Sequence, residues 1–472
     1  MYTKVKEMLN LLPPEYKPEL IASIRDEFLK SDKTIIVLDD DPTGTQTCRD
    51  ITVLTSWDTA IITEELKTKP SILFILTNSR SLVESEAVEL TKEIGVNLNQ
   101  AVKESGREII VISRSDSTLR GHFPAEVDAL AEALERRDAI RVIVPAFIEG
   151  GRYTINDVHY LVENETLVPV SETPFAKDLV FGYQQADLKL WVEEKTNGNI
   201  KATDVISISL DDIRSLGPKS VVGKINSCKA AGVCIINAVS YRDLEVVAMG
   251  MLLATKAGKN IVYRSSASFV SILAGLESGK MVTPQLKDLD RINGALIVVG
   301  SYVPKTTLQL NWLLENETHR SIEIDVKKIL DLTEINPMAA QIGDQIDRWL
   351  DSGHQVVIYT SRQLEVGIDS ATNLGINARV SDFLVELVKG LWVRPRFIIA
   401  KGGITSSDLV TKALGSKKAR VLGPIIPGVP VWQLDQTSKF PGLMYVVFPG
   451  NVGGEESLGE VLGKLNNEGR KG

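Results

Sequence analysis

Short apolar runs rich in Val and Ile recur at 34–38, 72–76, 108–112, 141–144, 233–236, 260–263, 295–299, 355–359, 396–400 and 443–448. Between several of them lie stretches with apolar residues at helical spacing, such as 84–104 and 124–137. This alternation predicts an α/β fold of mainly parallel sheets flanked by helices. Residues 1–32 read as a polar-faced helical extension broken by Pro13-Pro14, and 276–294 mix Gly, Pro and charge without a period, which is linker composition. Two α/β domains are therefore expected, at 33–275 and 295–472, with the active site in the interdomain cleft.

Length supports two domains, since 472 residues exceed what one core usually holds. A hydrophobic content of 43% with 24% charged residues is ordinary for a globular chain. The net charge of −8, with no basic run, argues against nucleic-acid or anionic-lipid partners. Cys48, Cys228 and Cys234 form no CxxC pattern, and only four histidines are present, so disulfide scaffolds and structural zinc are not expected. The N-terminus lacks a signal-like apolar segment, and no apolar stretch reaches the ~18 residues of a membrane helix. A cytoplasmic location is the expectation, and homo-oligomerisation is left open.

Candidate chemistry sits where strands end, the edge at which α/β proteins bind ligands. In the first half these segments are Asp39-Asp40-Asp41-Pro42-Thr43-Gly44, Thr77-Asn78-Ser79-Arg80, Ser113-Arg114-Ser115-Asp116-Ser117-Thr118-Leu119-Arg120-Gly121-His122, and Gly150-Gly151-Arg152-Tyr153-Thr154 after Pro145-Ala146-Phe147. Arginines, hydroxyls and aspartates together suit a small molecule bearing a carboxylate and several hydroxyls. Arg120 or Arg152 taken alone reads more simply as a surface or capping ion pair. His122 and His159 lack metal-ligand spacing and read as structural.

The second half repeats strand then glycine, with Gly300-Ser301 to Thr307, Lys401-Gly402-Gly403-Ile404-Thr405 to Asp408, and Pro449-Gly450-Asn451-Val452-Gly453-Gly454. Glycines let backbone N–H groups approach a phosphate, and a following helix adds positive potential. None of the three is a Walker A or a Rossmann fingerprint.

Taken in order, Asp39–Gln46, Ser113–His122, Pro145-Ala-Phe147 with Gly150–Thr154, Phe175-Ala-Lys-Asp178 with Phe181-Gly-Tyr183, and Lys401–Asp408 resemble the four-carbon acid sugar kinase family. The resemblance spans residues 34 to 460. It implies an N-terminal substrate domain, a C-terminal nucleotide domain, and ATP-dependent, Mg²⁺-assisted phosphorylation of threonate, erythronate or a 3-oxo-tetronate. It also implies acid-sugar contacts at Asp40, Asp41, Arg80, Arg114, Ser115, Asp116 and Ser117, with Arg80 meeting the carboxylate. ATP contacts are implied at Ser301, Gly402, Gly403, Ile404, Thr405, Gly450 and Asn451. Asp41 and Asp116 are the candidate catalytic groups, Lys401 and Lys305 could help neutralise phosphate, and the metal ligands are unassigned. Two departures bear on the substrate: Asp39 and Pro42 replace the alanine and aromatic of Ala-Asp-Asp-Phe-Thr-Gly, and Arg114 adds a cation where many members read Phe-Asp-Ser-Thr.

Two rival readings remain at this level. Asp39-x-Asp41-x-Thr43 also satisfies the nucleophile loop of haloacid-dehalogenase-type phosphatases, with Asp39 as nucleophile, although the later Mg²⁺-binding pair of that superfamily is missing. A non-catalytic sugar-acid or nucleotide sensor is the other.

Overall fold

In a computed structural model, residues 4–276, 292–363, 365 and 370–468 are described. The chain divides into two α/β units, Met1–Asp40 with Ser56–Lys280, and Asp41–Thr55 with Met281–Gly472. The expected junction at 276–294 lies largely outside the described residues.

The first unit is built on a parallel sheet in the order Ile72–Leu76, Lys33–Asp39, Glu108–Arg114, Ile261–Ser265, Ile140–Val144, Val233–Ile236 and Ile206–Ile208. Its central strands are buried on both faces, which is why they read as unbroken apolar runs. Pairing sets the polar ends level: Asp39 lies opposite Leu76 and Arg114, and Ser265 opposite Arg114 and Val144. The periodic stretches become the helices Glu84–Ser105 and Ala125–Ala133. In the N-terminal extension, the helix Ile21–Lys30 buries Ile24 and Phe28.

A small antiparallel sheet, Arg152–Ile155, Val158–Glu163 and Thr166–Pro169, branches from the end of Ile140–Val144. Its two turns carry positive φ at Asn156-Asp157 and Asn164-Glu165, as primed hairpin turns require. Thr154 and Ala238 exchange backbone hydrogen bonds that fasten this sheet to the unit.

The second unit carries parallel strands in the order Arg320–Ile324, Val356–Thr360, Leu296–Val299, Phe397–Lys401 and Met444–Phe448. Beyond these, Val429–Leu434, Lys418–Ile426 and Ile51–Leu54 continue antiparallel. The last of these strands comes from the first hundred residues of the chain. The turn before it, Pro42–Thr47, belongs to the same unit, where Trp432 Nε1 donates to Thr45 Oγ1 at 3.1 Å. The chain thus leaves the first unit at Asp40 and enters the second at Asp41.

Candidate active site

In the first unit, four arginines and a set of carboxylates converge on the strand ends. Arg80 grips Asp40 with both arms of its fork, Nε to Oδ2 at 3.1 Å and Nη2 to Oδ1 at 2.5 Å. Arg114 Nη1 lies 3.2 Å from Asp39 and 3.6 Å from Asp40, and Ser115 donates to Asp40 Oδ2 at 2.9 Å. Asp40 is only 3% exposed, so this grip replaces the water it has lost. Asp116 accepts from Arg120 Nε at 2.8 Å and from the Thr118 hydroxyl, with Arg80 4.0 Å away. Burial alone would raise the Asp116 carboxyl, but Arg120, Arg80 and these hydrogen bonds outweigh it and hold the group far below the usual carboxylate range. Arg120 also reaches Asp178 at 3.5 Å and lies over the Phe175 ring.

Two residues outside the sequence reading complete the cluster. Arg264 stands last but one in the strand Ile261–Ser265 and sends Nη2 to Ser115 Oγ, Leu119 O and Arg120 O at 3.1–3.3 Å, with its guanidinium over the Phe123 and Trp191 rings. It is the same signal as Arg114, an arginine closing an apolar strand, and was readable there. Glu126, in the first turn of the helix Ala125–Ala133, gives no such signal; burial pushes its carboxyl up to about 7, with the Asp40 charge adding to the rise. His159 is structural, as expected: its Nε2 donates to Ser117 O at 2.8 Å, its Nδ1 pairs with Thr154 Oγ1, and burial lowers it to about 4. His122 Nε2 likewise meets backbone carbonyls, Ser79 O and Leu82 O. The Ser117 side chain is buried, and no role follows from its contacts.

In the second unit, the three glycine loops leave three adjacent parallel strands, Leu296–Val299, Phe397–Lys401 and Met444–Phe448. They are tied together. Gly300 N and Ser301 N donate to Lys401 O, and Gly402 N to Phe448 O. The Thr306 hydroxyl reaches Ser301 Oγ at 3.2 Å and Gly450 O at 3.1 Å. The glycines are required by space as well as by conformation. Gly402 has φ +122°, and a Cβ there would lie 3.0 Å from Ser301 Cβ; a Cβ on Gly300 would strike Thr405 Oγ1. Thr405 is buried, whereas Ile404 and Asn451 are exposed at the loop surface.

Asp41 is a member of this second set. Its carboxylate accepts from Thr43 N at 2.8 Å, capping the turn Pro42–Thr47, and a Cβ on Gly403 would lie 2.6 Å from its Oδ2. Lys401 is spent on the third glycine loop. It is fully buried, donates to Pro449 O at 2.6 Å, and covers the Phe448 ring; burial, with Lys305 adding, lowers its ammonium to about 6. Arg362, also outside the sequence reading, donates from Nη1 to Ser301 O at 2.8 Å and from Nε and Nη2 to Thr360 O.

Two domain models match along this chain, a sugar-binding N-terminal domain over residues 35–273 and a nucleotide-binding C-terminal domain over 296–458. The chain belongs to the four-carbon acid sugar kinase family. Such an enzyme is a sugar-acid phosphotransferase. Among similar proteins, a D-erythronate kinase of Heliobacterium modesticaldum is 25% identical over 75% of this chain and 79% of its own. A D-threonate kinase of Salmonella typhimurium is 24% identical over 75% of this chain and 80% of its own. In fold, the chain resembles a Haemophilus influenzae protein from a family of unknown function, with a TM-score of 0.59 at 18% identity over 91% of this chain and 99% of that one. A second fold match is a Salmonella typhimurium protein described as a putative tRNA synthase, with a TM-score of 0.63 at 16% identity over 93% and 99%. Family membership displaces the phosphatase reading. Asp39, its nucleophile, is 1% exposed and lies 3.2 Å from Arg114. Among the described residues no helix is long and apolar enough to cross a membrane.

Proposed function

We propose that this enzyme transfers the γ-phosphoryl group of ATP to a hydroxyl of a four-carbon acid sugar of the threonate or erythronate class. The observation that carries this reading is the division of labour between the units: buried guanidinium groups gathered at strand ends in one, and a glycine cradle over three adjacent strand ends in the other. Guanidinium donors suit a carboxylate, and backbone N–H groups freed by glycine suit phosphates.

In the reaction the substrate oxygen forms a bond to the γ-phosphorus as the bond to the β-phosphate bridging oxygen breaks. The hydroxyl proton must pass to a base or to solvent. Of the two candidates, Asp116 is the poorer acceptor, because its carboxyl is held far below the usual range by Arg120 and Arg80. Asp41 is the better. It stands against Gly403 in the cradle, and one peptide bond joins it to Asp40, so its Cα lies about 3.8 Å from that of the sugar-binding residue. Asp116 then orders the guanidinium groups.

Mg²⁺ in phosphoryl transfer is commonly held by one or two carboxylates together with the nucleotide's own phosphates. Among the described residues no group of three His, Cys, Asp or Glu side chains gathers as a cage. With Asp41 assigned as the base, the ion would be held chiefly by the nucleotide's own phosphates and by water near the cradle. Bound there, Mg²⁺ would neutralise phosphate charge.

The test is an ATP-consumption screen across stereoisomeric four-carbon acids, with five-carbon acids and acid-free controls. ATP loss that depends on a four-carbon acid, with a product heavier by one phosphoryl group, is the expected result. Acid-independent hydrolysis, or turnover confined to five-carbon acids, would sink the proposal.

A further inference from the structure

We infer that Arg152, and not Arg80, receives the substrate carboxylate. The inference rests on the sugar-acid kinase reading and refines it.

The argument is a charge account of the first unit. Arg80 is bound bidentately to Asp40 and lies 4.0 Å from Asp116. Arg114 stands beside Asp39 and Asp40, and Arg120 beside Asp116 and Asp178. A substrate carboxylate arriving at Arg80 would have to displace Asp40 and leave it buried without its fork, at a cost of several kcal/mol. Arg152 and Arg264 differ from these three, because among the described residues neither forms an ion pair with a carboxylate. Arg264 is 2% exposed and spends Nη2 on the Ser115 hydroxyl and two carbonyls, with aromatic rings against its face. It holds the Ser115–Arg120 loop in place and has little to offer a ligand.

Arg152 has donors to spare. It opens the small antiparallel sheet, and its backbone is pinned by hydrogen bonds with Phe147 in both directions. Its side chain is only partly buried, Nη1 donates to Gly150 O, and Nε is shut from solvent with no hydrogen-bond partner. Two residues along the same strand, Thr154 pairs with His159, which donates to Ser117 O, so the strand that carries Arg152 is tied to the substrate loop. Nη2 is not shut from solvent and makes no hydrogen bond among the described residues, so it is the donor that a carboxylate would meet. Arg80 keeps a positioning role, fixing Asp40.

The experiment compares wild type, Arg152→Met and Arg152→Lys with saturating ATP. It uses the four-carbon acid that the wild type accepts and the matching neutral polyol, threitol or erythritol. Thermal melting checks that the variants fold. For Arg152→Met the expected result is a KM for the acid raised about 50-fold, with the KM for ATP and turnover of the polyol unchanged. Arg152→Lys keeps the charge and loses the fork, so its KM for the acid should rise about 10-fold. An acid KM within twofold of wild type in the folded variants overturns the assignment, as does an equal loss for acid and polyol. If Arg152→Met does not fold, the lysine variant decides alone. If the wild type turns over no four-carbon acid, the kinase reading fails separately. Calorimetric binding of threonate and erythronate to wild type and variants then tests Arg152 without turnover.

Discussion

Asp41 and Asp116 were indistinguishable as letters in a sequence, and their surroundings separate them. Asp116 is held ionised by two guanidinium groups, while Asp41 stands in the glycine cradle. Asp41→Asn is therefore expected to lower kcat by about 10²-fold or more with ATP affinity reduced less, the loss of a positioned base. Asp116→Asn should act chiefly by raising the KM of the acid, because it releases Arg120 and Arg80. Steady-state kinetics in both substrates separate the two patterns. Glu126 offers a pH signature. Its carboxyl titrates in the folded protein at about 7, above its ordinary value of 4.5, so the fold favours the protonated form. That stability is complete below about pH 4.5 and is lost as the pH rises through 7. Glu126→Gln should melt like wild type at pH 5 and on the order of 5 °C higher at pH 8, which a paired melting series reads directly. The sequence singled out Asp40, Arg80, Arg114 and Asp116 because each lies at or just past the end of an apolar strand, and the structure brings the four together. Glu126 was silent, since a glutamate on a helix carries no mark of burial until its neighbours are known.

At the level of elements, the central parallel strands were legible, whereas the parallel edge strands Ile206–Ile208 and Arg320–Ile324 and the antiparallel strands were not. A strand covered on both faces must be apolar throughout, and that leaves a continuous run such as Ile72–Leu76. The sheet at Arg152–Pro169 has partly exposed strands and turns built on Asn-Asp and Asn-Glu, a weaker signal than Asn-Gly. Ile51–Leu54 is four residues long, and its partner lies more than 360 positions away, so nothing local marks it. The glycine loops were visible as loops. Their adjacency came only from the strand order, which sets all three side by side. Gly402→Ala tests that cradle. The backbone there sits at φ +122°, and the new Cβ would crowd Ser301, so strain of about 1–3 kcal/mol is expected. A rise of at least about tenfold in the Kd for ATP, with acid binding unchanged, should be seen by calorimetry.

For the whole molecule, the two-domain organisation was readable from strand–helix alternation and from length, but the path of the chain was not. Composition favours a single cut near 276–294, whereas the structure groups Asp41–Thr55 with residues that follow that stretch. A fragment beginning at residue 292 would lack Ile51–Leu54. The Lys418–Ile426 strand would then present a bare edge, and Trp432 Nε1 would lose Thr45. Such a fragment is expected to aggregate on expression. Fusing residues 41–55 back onto it through a flexible linker should restore solubility and ATP binding, which size-exclusion chromatography and a nucleotide titration would register. There is an evolutionary side to this path. A gene that acquired its C-terminal half from a distant relative would set one parent's Ile51–Leu54 strand against the other parent's hairpin. Recombination at the linker is thereby penalised, and the sugar-binding and nucleotide-binding halves are bound to be inherited together.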